Sequence, residues 1–443
     1  MRNSITLPIY LSIRGRIYRL LQQRKGEIKI GHRLRNWILS YPKEAHILIL
    51  ASLINAVGNA MLWPLTTIYV HNILHRSYAE AGFVLFFQSL ASVLGQILGG
   101  SLYHKFGARK LIVGSLIFAG LAQLGLIVSK AWVPYIAMMA VNGLLNAMTM
   151  PAVNAFIGFR WEKERYRLFN AVYVCNNIGV AIGTTLAGIL AVLSFNLTFL
   201  LDGITTIGFG IFFYVFLGQM DLHGVNNLSI GAGLRGNSSV WSLLRNYRLY
   251  LFLAIGTMMV SITTSAWNSG IAPFLNDEGK SPAVYSFLWT VNGIVILLGQ
   301  PFISILNRFI TKSLYLRLVS SALFYTIGFS FMLVIHREYF FLIVGMIIST
   351  FGEMLIAPTN PALITQTTGR QAPFYLGMVG GVGNVGRLVG PPVFGFLFDS
   401  FGITPILTTA VGMAFGAALL FTLHSGIQKN HSELQIRMGN TSV

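Results

Sequence analysis

Three ionisable side chains, Asp202, Glu353 and Arg387, stand inside long apolar runs of this sequence. A charge in hydrocarbon is costly, so each calls for a role in proton handling, ligand binding or mutual neutralisation. Glu353 lies in the middle of its run, which makes it the foremost proton-coupling or cation-binding candidate. The alternative is a structural ion pair with Arg387. Both residues stand equally far along the chain from Arg370, at the turn between their runs, so regular helices would hold them at one depth. Asp202 is only about six residues into its run, roughly 9 Å by helical rise, and an interfacial or capping role competes there with proton handling.

Uncharged polar and aromatic residues recur around these at helical spacing. Asn55, Asn59 and Trp63 form one stripe, Thr263 and Trp267 a second, Asn142 and Asn146 a third, and Tyr173, Asn176, Asn292 and Asn384 add single points. Such residues face protein or a wet cavity, either bonding helix to helix or lining a passage for a small molecule. A lining of Trp, Asn and Met with one carboxylate suits bulky amphipathic or cationic ligands. The single cysteine, Cys175, excludes an internal disulfide, and the histidines show no metal-ligand spacing, so neither metal nor cofactor is expected. Without a nucleophile, base and orienting group at one depth, an enzyme is not expected either.

Helices of membrane length must hold these residues. Hydrophobic residues make up 54% of the 443 and charged ones only 10%, against about 25% charged in a soluble domain. Runs long enough to cross hydrocarbon number twelve: 45–70, 81–102, 111–129, 132–158, 168–193, 196–217, 249–275, 282–306, 318–335, 339–366, 373–397 and 402–424. The net charge of +18 does not point to nucleic acid, because the basic residues sit in short gaps between runs. Of the 31 Lys and Arg, all but Arg76, Lys130, Lys280, Arg337 and Arg387 fall in the two tails and alternate loops. By the positive-inside rule both termini are cytoplasmic, in a multi-pass protein of the inner (plasma) membrane.

The two halves repeat. At one constant offset Pro151, Ala155, Asn177, Gly179 and Gly183 meet Pro358, Ala362, Asn384, Gly386 and Gly390, and at a neighbouring one Gly95 and Gln96 meet Gly299 and Gln300. The fold class expected is an all-α membrane protein, twelve transmembrane helices as two parallel six-helix bundles with pseudo-twofold symmetry. The segments are a basic cytoplasmic 1–44, a bundle over 45–217, a Gly-rich linker over 218–245, a second bundle over 246–424 and a tail over 425–443. Within the first, Tyr10, Ile13, Ile17 and Leu20 alternate with Arg14, Arg16, Arg19 and Arg24, an amphipathic stretch suited to the anionic inner leaflet or else a disordered tail. A monomer is expected.

The segment from Gly99 to Lys110 resembles the cytoplasmic loop signature of the major facilitator superfamily, a Gly, an acid followed by a base, then Gly and a basic pair. Lys105, Gly107 and Arg109 match it, His104 stands in the acid's place and Ala108 in one basic place. Gly179, Gly183 and Gly188, and again Gly386, Gly390 and Gly395, are similar to the antiporter signature of the drug-exporting branches, and Gly352-Glu353 with Pro358 to a motif of bacterial multidrug/proton antiporters. Met139 departs from the Arg usual in that branch. The resemblance implies a gating loop at His104 to Arg109 and proton-coupled, alternating-access efflux of small amphipathic compounds. Transport of a lipid-linked or other specific metabolite, and a membrane sensor that has lost transport, stand as alternatives.

Overall fold

A computed structural model describes residues 43–62, 66–76, 78–221, 248–280 and 282–440. The basic amphipathic stretch, Trp63 and most of the 218–245 segment lie outside the described residues. Two compact units are distinguished, Met1–Leu50 and Ala51–Val443. The first is described only as helix from Lys43 onward, and the architecture that follows belongs to the second.

All regular structure among the described residues is helical. That is what hydrocarbon imposes, since a segment surrounded by lipid must satisfy its backbone groups internally. The helices are α1 (Lys43–Leu62), α2 (Thr66–Asn72), α3 (Tyr78–Val128), α4 (Trp132–Arg160), α5 (Arg165–Leu193), α6 (Phe195–Asp221) and α7 (Arg248–Ala266). They continue as α8 (Ala272–Asp277), α9 (Pro282–Leu298), α10 (Gln300–Phe309), α11 (Leu314–Val334), α12 (Tyr339–Thr367), α13 (Ala372–Phe401) and α14 (Ile403–Asn440). Eight helical stretches among the described residues are long and apolar enough to cross a membrane, and α9 with α10, bent by 56°, makes a ninth. Large apolar side chains such as Phe83, Phe118, Leu298 and Phe396 stay exposed along them, as lipid-facing residues do.

Local chemistry sets the breaks. The 51-residue α3 covers two of the expected spans and is interrupted at Gly107, whose φ of 76° and ψ of 158° suit a residue without Cβ. Between α7 and α8 the chain widens into a π-turn over Trp267–Ile271, where the amide of Ala272 reaches back to the Trp267 carbonyl. Pro273 follows at once and has no amide to restore the normal ladder. Pro301 in the first turn of α10 accompanies the bend after Gly299 in the same way.

Small residues decide where helices touch. A methyl group on Gly183 of α5 would overlap the Val57 carbonyl of α1, and one on Gly386 of α13 the Met258 carbonyl of α7. Contact at that range needs glycine on one side. The two elements α3 and α13 meet the same way, backbone to backbone, at Gly100 and Gly377. Gly158 of α4 fits against Thr365 of α12. All these last contacts lie towards the end of the molecule that carries the turns at 107, 161–164 and 368–371.

Candidate functional site

Helices α3, α4, α7, α12 and α13 line a half-open cavity of about 250 Å³. Its polar lining is Gln96, Asn154, Thr257, Ser261, Asn360 and Asn384, and among the described residues Arg387 is its one charged lining residue. Met150, Ile364, Leu376 and Val379 supply apolar wall. Helix α13 presents Gly380, Gly383, Asn384 and Arg387 to it, residues three or four apart and therefore on one face. The Nδ2 of Asn360 donates to Thr257 Oγ1 at 3.1 Å, tying α12 to α7 across the cavity wall, while its Oδ1 is buried without a partner.

Glu353 stands two turns before Asn360 on α12, half-buried. Its Oε2 accepts from Asn292 Nδ2 of α9 at 3.0 Å, and the same nitrogen donates to Thr350 Oγ1 at 3.0 Å. Tyr173 of α5 and Tyr325 of α11 both lie close enough to feel the carboxylate's charge. Tyr325 feels the Arg387 guanidinium too, so the two charges share a neighbourhood. The direct ion pair expected between them is not formed in this conformation: among the described residues no carboxylate pairs with Arg387, and Glu353 is held by the Asn292 amide instead. Equal depth leaves helix rotation open, and rotation turns Arg387 towards the cavity.

Asp202 is fully buried on α6. Its Oδ1 accepts from Thr206 at 3.4 Å, and its Oδ2 has no partner. Its place within α6 and its burial set it among packed side chains rather than at a helix cap. Gln123 of α3 is likewise buried, with both amide atoms unpartnered.

The uncharged stripes scatter. Asn146 Nδ2 donates to Asn142 Oδ1 at 2.9 Å within α4, leaving Asn142 Nδ2 buried and unpaired. Thr263 donates to carbonyls of Met259 and Ala410, at 3.0 and 3.2 Å, and so fastens α7 to α14. Trp267 packs on Phe329, ring centroids 5.7 Å apart. Asn55, Asn59 and Asn176 are half-buried, and Asn55 Oδ1 has no partner. Among the residues singled out from the sequence, Asn384 and Arg387 line the cavity. Gln96, Asn154, Thr257, Ser261 and Asn360 were not singled out, although Asn154 and Asn360 stand close to the in-span prolines Pro151 and Pro361, a usable signal.

At the loop 103–110 the side chains diverge. Arg109 stacks on Tyr214 of α6 with 4.3 Å to the ring centroid, and Lys105 is exposed. His104, half-buried beside Tyr103, hydrogen-bonds the Arg370 backbone in the turn just before α13. A second set of contacts joins α5 to α10 and α11: Asn307 Nδ2 donates to the Tyr166 hydroxyl at 3.1 Å, Arg317 lies 4.0 Å from the centre of the Tyr166 ring, and Asn170 Nδ2 donates to Gln300 Oε1 at 2.9 Å.

Comparison with known proteins adds an independent line. The family model described as Major Facilitator Superfamily matches residues 48–267 and 253–435. The MFS-type transporter YttB of Bacillus subtilis (strain 168) is 33% identical over 371 residues, 83% of this chain and 91% of its own length. Quinolone resistance protein NorA of Staphylococcus aureus (strain COL) is 21% identical over 377 residues, 85% of this chain and 94% of its own. Two crystal structures share the fold. FucP in the outward conformation superposes with a TM-score of 0.66 at 14% identity, covering 87% of this chain and 99% of its own. The human organic anion transporter MFSD10 (TETRAN) does so with 0.64 at 13%, covering 86% and 100%.

Proposed function

The chain belongs to the Major Facilitator Superfamily and is a multi-pass membrane transporter, and from that premise we propose that it couples proton entry to the export of small amphipathic compounds across the plasma membrane. The observation that carries the coupling is Glu353, a carboxylate in the middle of α12 held by the neutral side chain of Asn292 rather than by a cation. Such a group can take up and release a proton as its surroundings change, because no fixed positive charge locks it in the ionised form. Asp202, buried with a free Oδ2, is the second proton-binding candidate. The likeness to NorA, at 21% identity, supports efflux of drug-like compounds.

In this reading twelve spans form two six-helix bundles over 45–217 and 246–424. Helix α3 counts twice across Gly107, the bent pair α9 and α10 counts once, and α5 and α13 cross although their polar and small residues lower their apolarity. Both termini are cytoplasmic, with segments 1–44, 218–245 and 425–443 on that side and the basic N-terminal stretch on anionic lipid. The contacts at Gly100–Gly377, Gly158–Thr365 and Tyr166–Asn307 then close the cytoplasmic end, which supports a conformation open to the other side and hence alternating access.

Reconstituted protein driven by an imposed pH gradient tests the coupling. Glu353→Gln is expected to retain ligand binding and lose gradient-driven transport, by about a hundredfold or more if proton release is obligatory. Undiminished proton-driven transport would remove Glu353 from the mechanism, and absence of transport by the unaltered protein would favour a sensor.

A further inference from the structure

We propose that the central cavity recognises its ligand through a negatively charged group, and that the compound it takes is a small organic anion seated on Arg387. The proposal rests on reading this cavity as the substrate site, and narrows the compounds it admits.

Arg387 lines the cavity and is exposed to it, no acidic residue joins the lining, and among the described residues no carboxylate pairs with the guanidinium. A guanidinium does not deprotonate in proteins, so its charge persists. At membrane depth an uncompensated cation is unfavourable unless something completes it. The acid expected at the same depth, Glu353, is engaged by Asn292. A ligand's negative charge would therefore meet a guanidinium that no carboxylate among the described residues occupies.

The neighbours suit an oxyanion. Asn384 is one turn from Arg387 on α13, and Gln96 and Asn154 face the same space from α3 and α4. Their amide groups donate hydrogen bonds, and a planar guanidinium matches a carboxylate with two parallel bonds. Met150, Ile364, Leu376 and Val379 give the rest of the ligand an apolar wall, which favours an organic anion over an inorganic one. A volume of about 250 Å³ lies just below that of ordinary ligand pockets, which run from roughly 300 to 1,000 Å³, so the ligand is small.

The test is calorimetric binding to the full-length protein in nanodiscs, with no gradient applied. The probes are benzoate, naphthaleneacetate and indoleacetate, each beside its neutral amide and its corresponding amine. At least one carboxylate should bind about tenfold or more tightly than both its amide and its amine, the difference expected of a charged hydrogen-bonded contact. Arg387→Gln should bring that ratio close to one, and Arg387→Lys should keep part of it. Asn384→Asp, which sets a carboxylate one turn from the guanidinium, should abolish the preference with Arg387 intact, and serves where Arg387→Gln does not fold. Tighter binding of the amines, binding of none of the carboxylates, or a preference that survives both Arg387→Gln and Asn384→Asp would overturn the proposal. Proton coupling is read separately through Glu353→Gln under a gradient, so either conclusion can fail without the other.

Discussion

Asp202 has one oxygen 3.4 Å from Thr206 and the other facing no donor, in a site closed to solvent. A half-satisfied buried carboxylate weakens a fold whenever it is ionised. Asp202→Asn keeps the shape and removes the charge, so it is expected to stabilise the protein by about 1–2 kcal/mol at neutral pH. The gain should fade in acid, where the carboxyl of the unaltered protein carries its own proton. Melting curves in detergent at neutral and acidic pH check this, and a lower melting temperature for the variant at neutral pH would reveal a charge-dependent contact. At this scale the sequence was informative about the charges and poor about the lining. Asp202, Glu353 and Arg387 are conspicuous because ionisable groups are rare in apolar runs. Which face of a helix meets a cavity is a matter of rotation and tilt, and periodicity does not carry it. Thr263 and Trp267 satisfy the helical repeat, yet they fasten α7 to α14 and pack on Phe329, while Asn360 and Thr257, which bond to each other on the cavity wall, belong to no stripe.

The helices themselves were far more legible, because the length of an apolar run is set by the thickness of hydrocarbon. Among the described residues the expected runs lie on helix, with eight or nine stretches long and apolar enough to cross a membrane, and the boundary between the second and third run is marked by the non-helical backbone of Gly107. Less visible was the π-turn at Trp267, for which Pro273 is the only hint, and the 56° bend after Gly299. Gly183 and Gly390, matched in the sequence to a family signature, are points of close helix contact in the structure. A leucine at Gly183 would drive into the Val57 carbonyl, and one at Gly390 into the Ser265 side chain. Overpacking of this kind costs about 1–3 kcal/mol and more where a backbone is the obstacle. Gly183→Leu and Gly390→Leu are therefore expected to lower both membrane yield and melting temperature, and wild-type values for both would argue against close packing at those positions.

Over the whole molecule, the end bearing the 103–110 loop is held shut by His104 on the Arg370 backbone and by the Tyr166, Asn307 and Arg317 cluster. Burial pushes the His104 pKa below the usual histidine value, and the bond to Arg370 opposes that shift without reversing it. A depressed histidine favours the closed contact fully above about pH 6.5 and progressively less as pH falls through the lowered value, because the buried ring resists its charge. Spin labels on Lys105 and Gln371 should move apart on acidification, and His104→Phe should remove that response. An equal response in His104→Phe would assign the titration elsewhere. The sequence identified this loop by its likeness to a family signature, but His104 in an acid's position gave no indication of its partner, since the Arg370 backbone is supplied by a turn more than half the chain away. One feature of this closed end bears on the entropy of opening. Where Gly100 meets Gly377 neither residue puts a side chain between the two backbones, so that contact itself freezes no rotamers on closing and liberates none on parting. What resists parting there is dispersion between two bare backbones and the few polar bonds around them. The entropy of releasing side chains on opening is then supplied by the Tyr166, Asn307 and Arg317 cluster and by Gln96 and Ile97 beside the contact, and none of it by the glycine pair.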